Sequence, residues 1–281
     1  MTLSNGLILQ KLYLRNFRRY EEALFQFEPT LNTIIGPNAF GKTTVLEAIQ
    51  CLMNGRSFRT HQMGDLLRDG QKKFSIEAYF IKQGIEQNLK FYFDGNERKI
   101  IYNSSTLSSA THLLGLIHGV VVTPDHVSLI KGTPVVRRHF LDLQIAQVDP
   151  LYVHHLTRYT KAMRQRNVLL KRKELSTIES WETEMAGAAA YITLQRKQAV
   201  HDLQKIGLPI HEMLAGEGQA LLLDYKSSCS DRTNMGELRE HYLQQWGKMR
   251  HREKDVGTTL YGPHRDDLLI KIGEREARLF A

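Results

Sequence analysis

The stretch Leu31-Asn32-Thr33-Ile34-Ile35-Gly36-Pro37-Asn38-Ala39-Phe40-Gly41-Lys42-Thr43-Thr44 decides how this chain folds. Its centre fits G-x-x-x-x-G-K-[ST], a loop whose main-chain N–H groups converge on phosphate oxygens and whose glycines permit the close approach. The β-branched run at 31–35 predicts a central strand that delivers its C-terminal end to the loop. Val45, Leu46, Ile49, Leu52 and Met53 then recur at helical spacing, with Gly55 as the stop. That helix would point the positive end of its dipole at the same anions. Lys42 is expected at the β- and γ-phosphates and the Thr43 hydroxyl on Mg²⁺. The expected cradle is Gly36, Pro37, Asn38, Ala39, Phe40, Gly41, Lys42, Thr43 and Thr44. The plainer alternative is a chance glycine turn before a core helix; the strand-like entry and amphipathic exit argue against it. The sequence has no N-K-x-D guanine signature, so ATP is expected rather than GTP.

Outward from the loop, the N-terminal third alternates with period two. Leu7, Leu9, Leu12 and Leu14, then residues 24–27, predict a hairpin. Phe74, Ile76, Ala78 and Phe80 continue the alternation, as do Leu89, Phe91 and Phe93 before the turn Asp94-Gly95-Asn96. Val120-Val121-Val122, running into Thr123-Pro124, predicts a second central strand. From about Thr133 the pattern becomes helical. Thr133-Pro134 and Asp149-Pro150 each pair an N-cap residue with proline at the first helical position. Helices are expected near 150–173, 177–206 and 234–252, with Gly207 and Pro209 breaking the second. Strand character returns at 268–272, turns at Gly273 and resumes at 277–280. The outline is an α/β core interrupted by a helical insertion.

Composition narrows the function. With 281 residues, 42% of them hydrophobic and 24% charged, the chain can bury a core. A net charge of +8 favours a polyanionic partner. Cys51 and Cys229 are the only cysteines, too few for a disulfide framework or a zinc site, and Cys51 is expected in the core. The opening MTLSNGLILQK lacks the form of a secretory leader, and no apolar run approaches the roughly 18 residues that span a bilayer. A soluble, cytoplasmic protein is expected, with no membrane partner.

Several further segments, in this order, resemble the RecF family of bacterial DNA replication and repair proteins. They are Asn16-Phe17-Arg18-Arg19-Tyr20, the loop with Leu46-Glu47-Ala48-Ile49, and Gly55-Arg56-Ser57-Phe58-Arg59-Thr60. Thr123-Pro124-Asp125, Lys131-Gly132-Thr133-Pro134 and Arg137-Arg138-His139-Phe140-Leu141-Asp142 follow. Lys161-Ala162-Met163-Arg164-Gln165-Arg166-Asn167 and Gly262-Pro263-His264-Arg265-Asp266-Asp267 complete the set, which extends over essentially the whole chain. The family is similar to the SMC-type heads of ABC ATPases. The resemblance therefore implies a P-loop head with mixed sheets around a central helix and an inserted helical lid. It implies head lobe I over 1–135, the lid over 136–255, and a return to the head over 256–281. It further implies ATP and Mg²⁺ as cofactors, an ATP-dependent homodimer, and binding to single-stranded, gapped or junction DNA. RecR, and RecO indirectly, are the implied partners in loading recombinase during the SOS response.

Two departures qualify that reading. Phe40 stands where the family usually has Gln or Ser, and Thr44 where Asn is common; neither removes Lys42 or the backbone cradle. Family members also continue past Ala281 into the ABC signature and the acidic strand that holds Mg²⁺, and neither lies in this sequence. In ABC heads those parts complete the charge stabilisation of phosphoryl transfer. The expectation is a truncated chain that binds ATP weakly without appreciable hydrolysis and presents no catalytic residue of its own. The competing readings are a truncated DNA- or partner-binding module with a vestigial nucleotide site, and another SMC-like ATPase such as an overcoming-lysogenization-type nuclease.

Other residues carry two readings each. Arg18, Arg19 and Tyr20 are expected to contact adenine and ribose, against a polar hairpin turn with one packed ring. Arg56 and Arg59 around Phe58 suit nucleic acid and an ordinary surface loop equally. Thr123-Pro124-Asp125 reads better as a capped short helix than as an Mg²⁺-sensing loop. Arg158, Lys161, Arg164, Arg166, Lys171, Arg172 and Lys173 form a one-signed run with no acidic residue from 153 to 173, which favours a DNA-phosphate or partner surface over a merely solvated face. Gly262-Pro263-His264-Arg265-Asp266-Asp267 either caps a strand entry or places His264 and Arg265 at a dimer or nucleotide face. No His/Asp metal site is expected there.

Overall fold

The structure is a computed structural model that describes residues 6–108, 110–215, 220–229 and 232–279. Residues 1–5, where the reading on a leader begins, and residue 280, the end of the last expected strand, lie outside them. The chain divides into two compact units, one ending at Val121 and the other beginning at Val122.

In the first unit β1 (Leu7–Phe17), β2 (Tyr20–Gln26), β3 (Phe74–Lys82), β4 (Ile85–Phe93), β5 (Arg98–Tyr102) and β6 (Ser105–Leu107) form one sheet in the order β2-β1-β3-β4-β5-β6. Every neighbouring pair is antiparallel. The expected alternation explains its two faces. Leu12, Leu14, Ile76, Ala78, Phe80, Leu89 and Phe91 are buried, while intervening residues meet solvent. The helix α1 (Lys42–Asn54) supplies Val45, Ala48, Cys51, Leu52 and Met53 to the same core and ends on left-handed Gly55.

Two expected central strands are absent. Residues 31–35 are extended but unpaired among the described residues, with Leu31 at 80% and Ile35 at 88% exposure. Residues 120–122 likewise form no strand. A β-branched run becomes a strand only when a neighbour accepts its ladder of hydrogen bonds, and the sheet order includes neither segment. Asn32 instead closes a local loop, its side chain accepting from the Glu28 N–H and donating to the Glu28 carbonyl, both at 2.8 Å.

The second unit opens with the short α2 (Ser128–Lys131), followed by α3 (Pro134–Val148), α4 (Pro150–Arg172), α5 (Ile178–Ala215) and α6 (Met235–Val256). A small antiparallel sheet of β7 (Leu221–Lys226), β8 (Asp267–Ile272) and β9 (Arg275–Glu276) completes it. Asp149 caps α4 by accepting the Leu151 N–H at 3.0 Å, ahead of proline at the first helical position. Gly207 and Pro209 do not break α5, which runs on to Ala215. Proline removes one backbone donor, and that loss falls beyond Val200, the last buried residue of α5. The expected last strand is instead a 3₁₀ turn at Ala277–Leu279. No sequence reading anticipated β7, although Leu221, Leu223 and Tyr225 turn toward the core in strict alternation.

Charge is built into this helical core. Arg166 is fully buried between Glu182, at 2.9 Å, and Glu253, at 2.6 Å, with Thr259 accepting at 3.0 Å. Arg196, also buried, donates to Asp142 at 2.8 Å, to the Tyr152 hydroxyl at 3.0 Å and to the Pro263 carbonyl at 2.7 Å. Buried ions persist only when paired and hydrogen-bonded, as both arginines are.

Candidate nucleotide-binding site

Residues 36–41 leave the extended segment, turn, and enter α1 at Lys42. Ala39 (φ 66°) and Gly41 (φ 90°) both adopt left-handed backbone conformations, the pattern that gathers N–H groups into an anion-binding hollow. Gly41 is obligatory on two counts. Besides its φ, a Cβ there would lie 2.7 Å from the Tyr20 hydroxyl and 2.9 Å from Arg19 Cδ. A Cβ at Gly36 would meet nothing within 4 Å, so the protein's own packing does not require glycine at that position.

The Gly41 carbonyl accepts from the N–H groups of Thr44, at 3.0 Å, and Val45, at 3.3 Å. No side chain among the described residues caps the first turn, so its leading amides face the loop without a protein acceptor. The Lys42 ammonium curls back to donate to the carbonyls of Gly36, at 2.6 Å, and Pro37, at 2.7 Å. The Phe40 amide leans on the Pro37 carbonyl at 3.4 Å. Thr43 is exposed while Thr44 is buried against the sheet. Uncapped amides, a lysine on weak acceptors and an exposed hydroxyl are the donor set that a triphosphate and one divalent cation require.

The three residues Arg18, Arg19 and Tyr20 separate in space. Arg18, itself left-handed (φ 53°), sends its guanidinium inward, donating to both oxygens of the fully buried Glu47 at 2.7 and 3.1 Å and to the Asp65 carbonyl at 2.7 Å. Ser57 also donates to Glu47, at 2.5 Å. Arg19 points outward, donates to the Ala39 carbonyl and lies 4.8 Å over the exposed Phe40 ring. The Tyr20 hydroxyl donates to the Gly41 carbonyl at 3.3 Å, and burial pushes its pKa up. Only Arg19 and Tyr20 therefore reach the loop. The sequence motif assigns Glu47 no role; an acidic residue on the apolar face of a predicted helix is the signal that it anchors a cation.

The other singled-out residues fall elsewhere. Arg56 is exposed, and Arg59 stands 3.7 Å from Glu47. Thr123 caps the 3₁₀ turn Pro124–Val127 in a reciprocal box with His126, leaving Asp125 exposed. In the second unit Asp267 accepts a bidentate pair from Arg137 at 2.8 Å, and Asp266 accepts from Tyr225 at 2.7 Å. His264 is held between the Tyr159 hydroxyl, 2.5 Å from Nδ1, and the Thr259 carbonyl, 3.1 Å from Nε2. Burial pushes its pKa down to about 4, so the ring is neutral at pH 7. Gly262 (φ 135°) is needed beneath it, since a Cβ would lie 2.6 Å from the Tyr159 hydroxyl. Arg265 is exposed. The basic run is divided as well: Arg166 is buried in its ion pairs and Arg158 is paired with Glu184 at 2.7 Å.

Comparison with known proteins follows the same geometry. A family model described as an AAA ATPase domain matches residues 8–211. The chain is 52% identical, over 97% of its length and 76% of the relative's, to the DNA replication and repair protein RecF of Protochlamydia amoebophila. It is 35% identical to RecF of Chlamydia caviae, over 96% of this chain and 74% of that one. A solved structure described as the recombination mediator protein RecF with ATP in the RecFOR pathway superimposes with a TM-score of 0.92 at 26% identity, covering 99% of this chain and 76% of that one. With its phosphate loop between sheet and helix and with relatives of this identity, the chain belongs to the RecF family of DNA replication and repair proteins.

Proposed function

We propose that this chain binds ATP at the loop 36–44 and acts, as a RecF-type protein of the RecFOR pathway, on single-stranded and gapped DNA to help load recombinase. The carrying observation is the pair of left-handed residues Ala39 and Gly41 ahead of the uncapped α1, with Lys42 curled back onto the Gly36 and Pro37 carbonyls. Asn38, Ala39, Phe40 and Gly41 would line the phosphate chain with their backbone, and Lys42 would exchange carbonyl acceptors for phosphate oxygens. Arg19 and Phe40 offer an exposed cationic and aromatic surface beside the loop for the base or ribose. Thr43 would hold Mg²⁺, which when bound would neutralise phosphate charge; its exposure at the head of α1 supports this role. Arg18 would serve the same site at one remove, by pairing with the buried Glu47 of α1.

The remaining parts of the proposal follow the family. They are an ATP-dependent homodimer, RecR as a direct partner and RecO as an indirect one, service in the SOS response, and residence in the cytoplasm. A head of residues 1–135 and 256–281 around a lid of 136–255 remains the proposed functional division. No described helix is long and apolar enough to cross a membrane. We also propose that the chain by itself holds ATP without turning it over, since Lys42 alone does not supply both charge stabilisation and water positioning.

Equilibrium binding of a fluorescent ATP analogue tests the site. Lys42→Met should weaken it at least about tenfold, the loss of one charge-assisted contact of roughly 1.5–3 kcal/mol. Unchanged affinity, together with unchanged ATP dependence of DNA binding, would mean that the loop is vestigial.

A further inference from the structure

Within the second unit, α4 and α5 leave a groove of about 410 Å³ lined by Arg158, Lys161, Ala162, Ser180, Trp181 and Glu184. This lies in the range of roughly 300–1,000 Å³ typical of small-ligand sites. Its floor is the small, buried Ala162, which makes the room. One wall is Trp181, half-buried against the helical core, whose indole N–H has no hydrogen bond among the described residues. The single carboxylate, Glu184, is neutralised by a bidentate pair with Arg158 at 2.7 and 2.8 Å.

Lys161 is exposed at the rim and makes no ion pair among the described residues. Helical spacing carries its charge onward: Lys161, Arg164, Lys171 and Arg172 fall on one exposed face, opposite buried Tyr159, Ala162, Arg166 and Leu170. None of these four cations has a carboxylate partner among the described residues. A one-signed track beside an aromatic wall matches a chain of phosphates carrying flat bases, whereas an acidic peptide would use the charge and leave the indole idle.

We propose that the Trp181 groove is a stacking site for a base of single-stranded DNA, with Lys161 on an adjoining phosphate. The proposal rests on the DNA-binding reading above and adds where the strand lies. Trp246, the second tryptophan, is fully buried and stacked on Tyr242, so emission changes on strand binding report Trp181.

The test uses the full chain with oligothymidylate, following anisotropy of a labelled strand and tryptophan emission with an unlabelled one. Binding should quench emission, while an abasic strand of equal length should bind with much less quenching. Trp181→Ala should weaken binding about tenfold and Trp181→Phe much less, at matched thermal stability. Lys161→Gln should lower the slope of log K against log salt by about one. Full binding by Trp181→Ala, or equal quenching by the abasic strand, would overturn the stacking site and leave DNA binding intact. A Trp181 signal that answers to a protein partner and never to DNA would also overturn it, reassigning the groove to protein docking. Absence of any strand binding at low salt would remove both readings.

Discussion

Arg18 and Arg19 are adjacent and chemically identical, yet one turns to buried Glu47 and the other to the loop at Ala39 and Phe40. The left-handed turn at Arg18 decides this by aiming its guanidinium at Glu47 and its neighbour's at the loop. Removing one partner of a buried pair commonly costs about 3–5 kcal/mol. Arg18 is 22% exposed and Ser57 still donates to Glu47, so Arg18→Ala should cost less, about 2 kcal/mol. Arg19→Ala should leave stability within about 0.5 kcal/mol and weaken ATP binding instead. Urea unfolding and nucleotide titration of the two variants check the separation; equal stability losses would refute it. Motif reading placed the whole triplet at the nucleotide because sequence carries residue type, while the direction of a side chain depends on a φ angle. The glycine turn at Gly41 and the helix start at Lys42 were legible because that geometry is local to the motif.

At the scale of elements, alternation and capping were enough for the antiparallel sheet and for the starts of α3 and α4. They failed where structure depends on a neighbour. Residues 31–35 have strand composition without a ladder, and α5 passes Pro209 although proline there forfeits one backbone hydrogen bond. Exposed, extended, apolar backbone is a template for intermolecular pairing. Leu31→Lys and Val120→Lys, at positions 80% and 71% exposed, should therefore reduce concentration-dependent light scattering while leaving the melting temperature nearly unchanged. Scattering that stays the same would show that these segments are not the sticky surface. The missed β7 teaches the complementary lesson, since its partner β8 lies more than 40 residues downstream and no local pattern links them.

For the molecule as a whole, histidines whose pKa burial lowers contribute to the response to acid. His264 falls from 6.5 to about 4 through burial, and burial also lowers His155 and His241. Between those two values the unfolded chain binds more protons than the folded one, so stability falls as pH drops. The His264 contribution is fully present above pH 6.5 and is lost progressively toward pH 4, about 3 kcal/mol in total. Urea midpoints should drop from pH 7 to pH 5, and His264→Gln should flatten that drop. A steeper fall in the variant would contradict the assignment. The net charge of +8 supplies the long-range attraction for a polyanion, but only the folded arrangement shows which cations are spoken for.

The grip of Lys42 on the carbonyls of its own loop has a kinetic side. An internal cation braces the loop, so an arriving triphosphate would meet a segment already drawn together. The ammonium need only swing from neutral oxygens to charged ones, trading partners within a few ångströms. Release of a bound triphosphate would then depend on how readily that lysine is recaptured at home, which makes the two carbonyls a built-in competitor for the nucleotide's own tail.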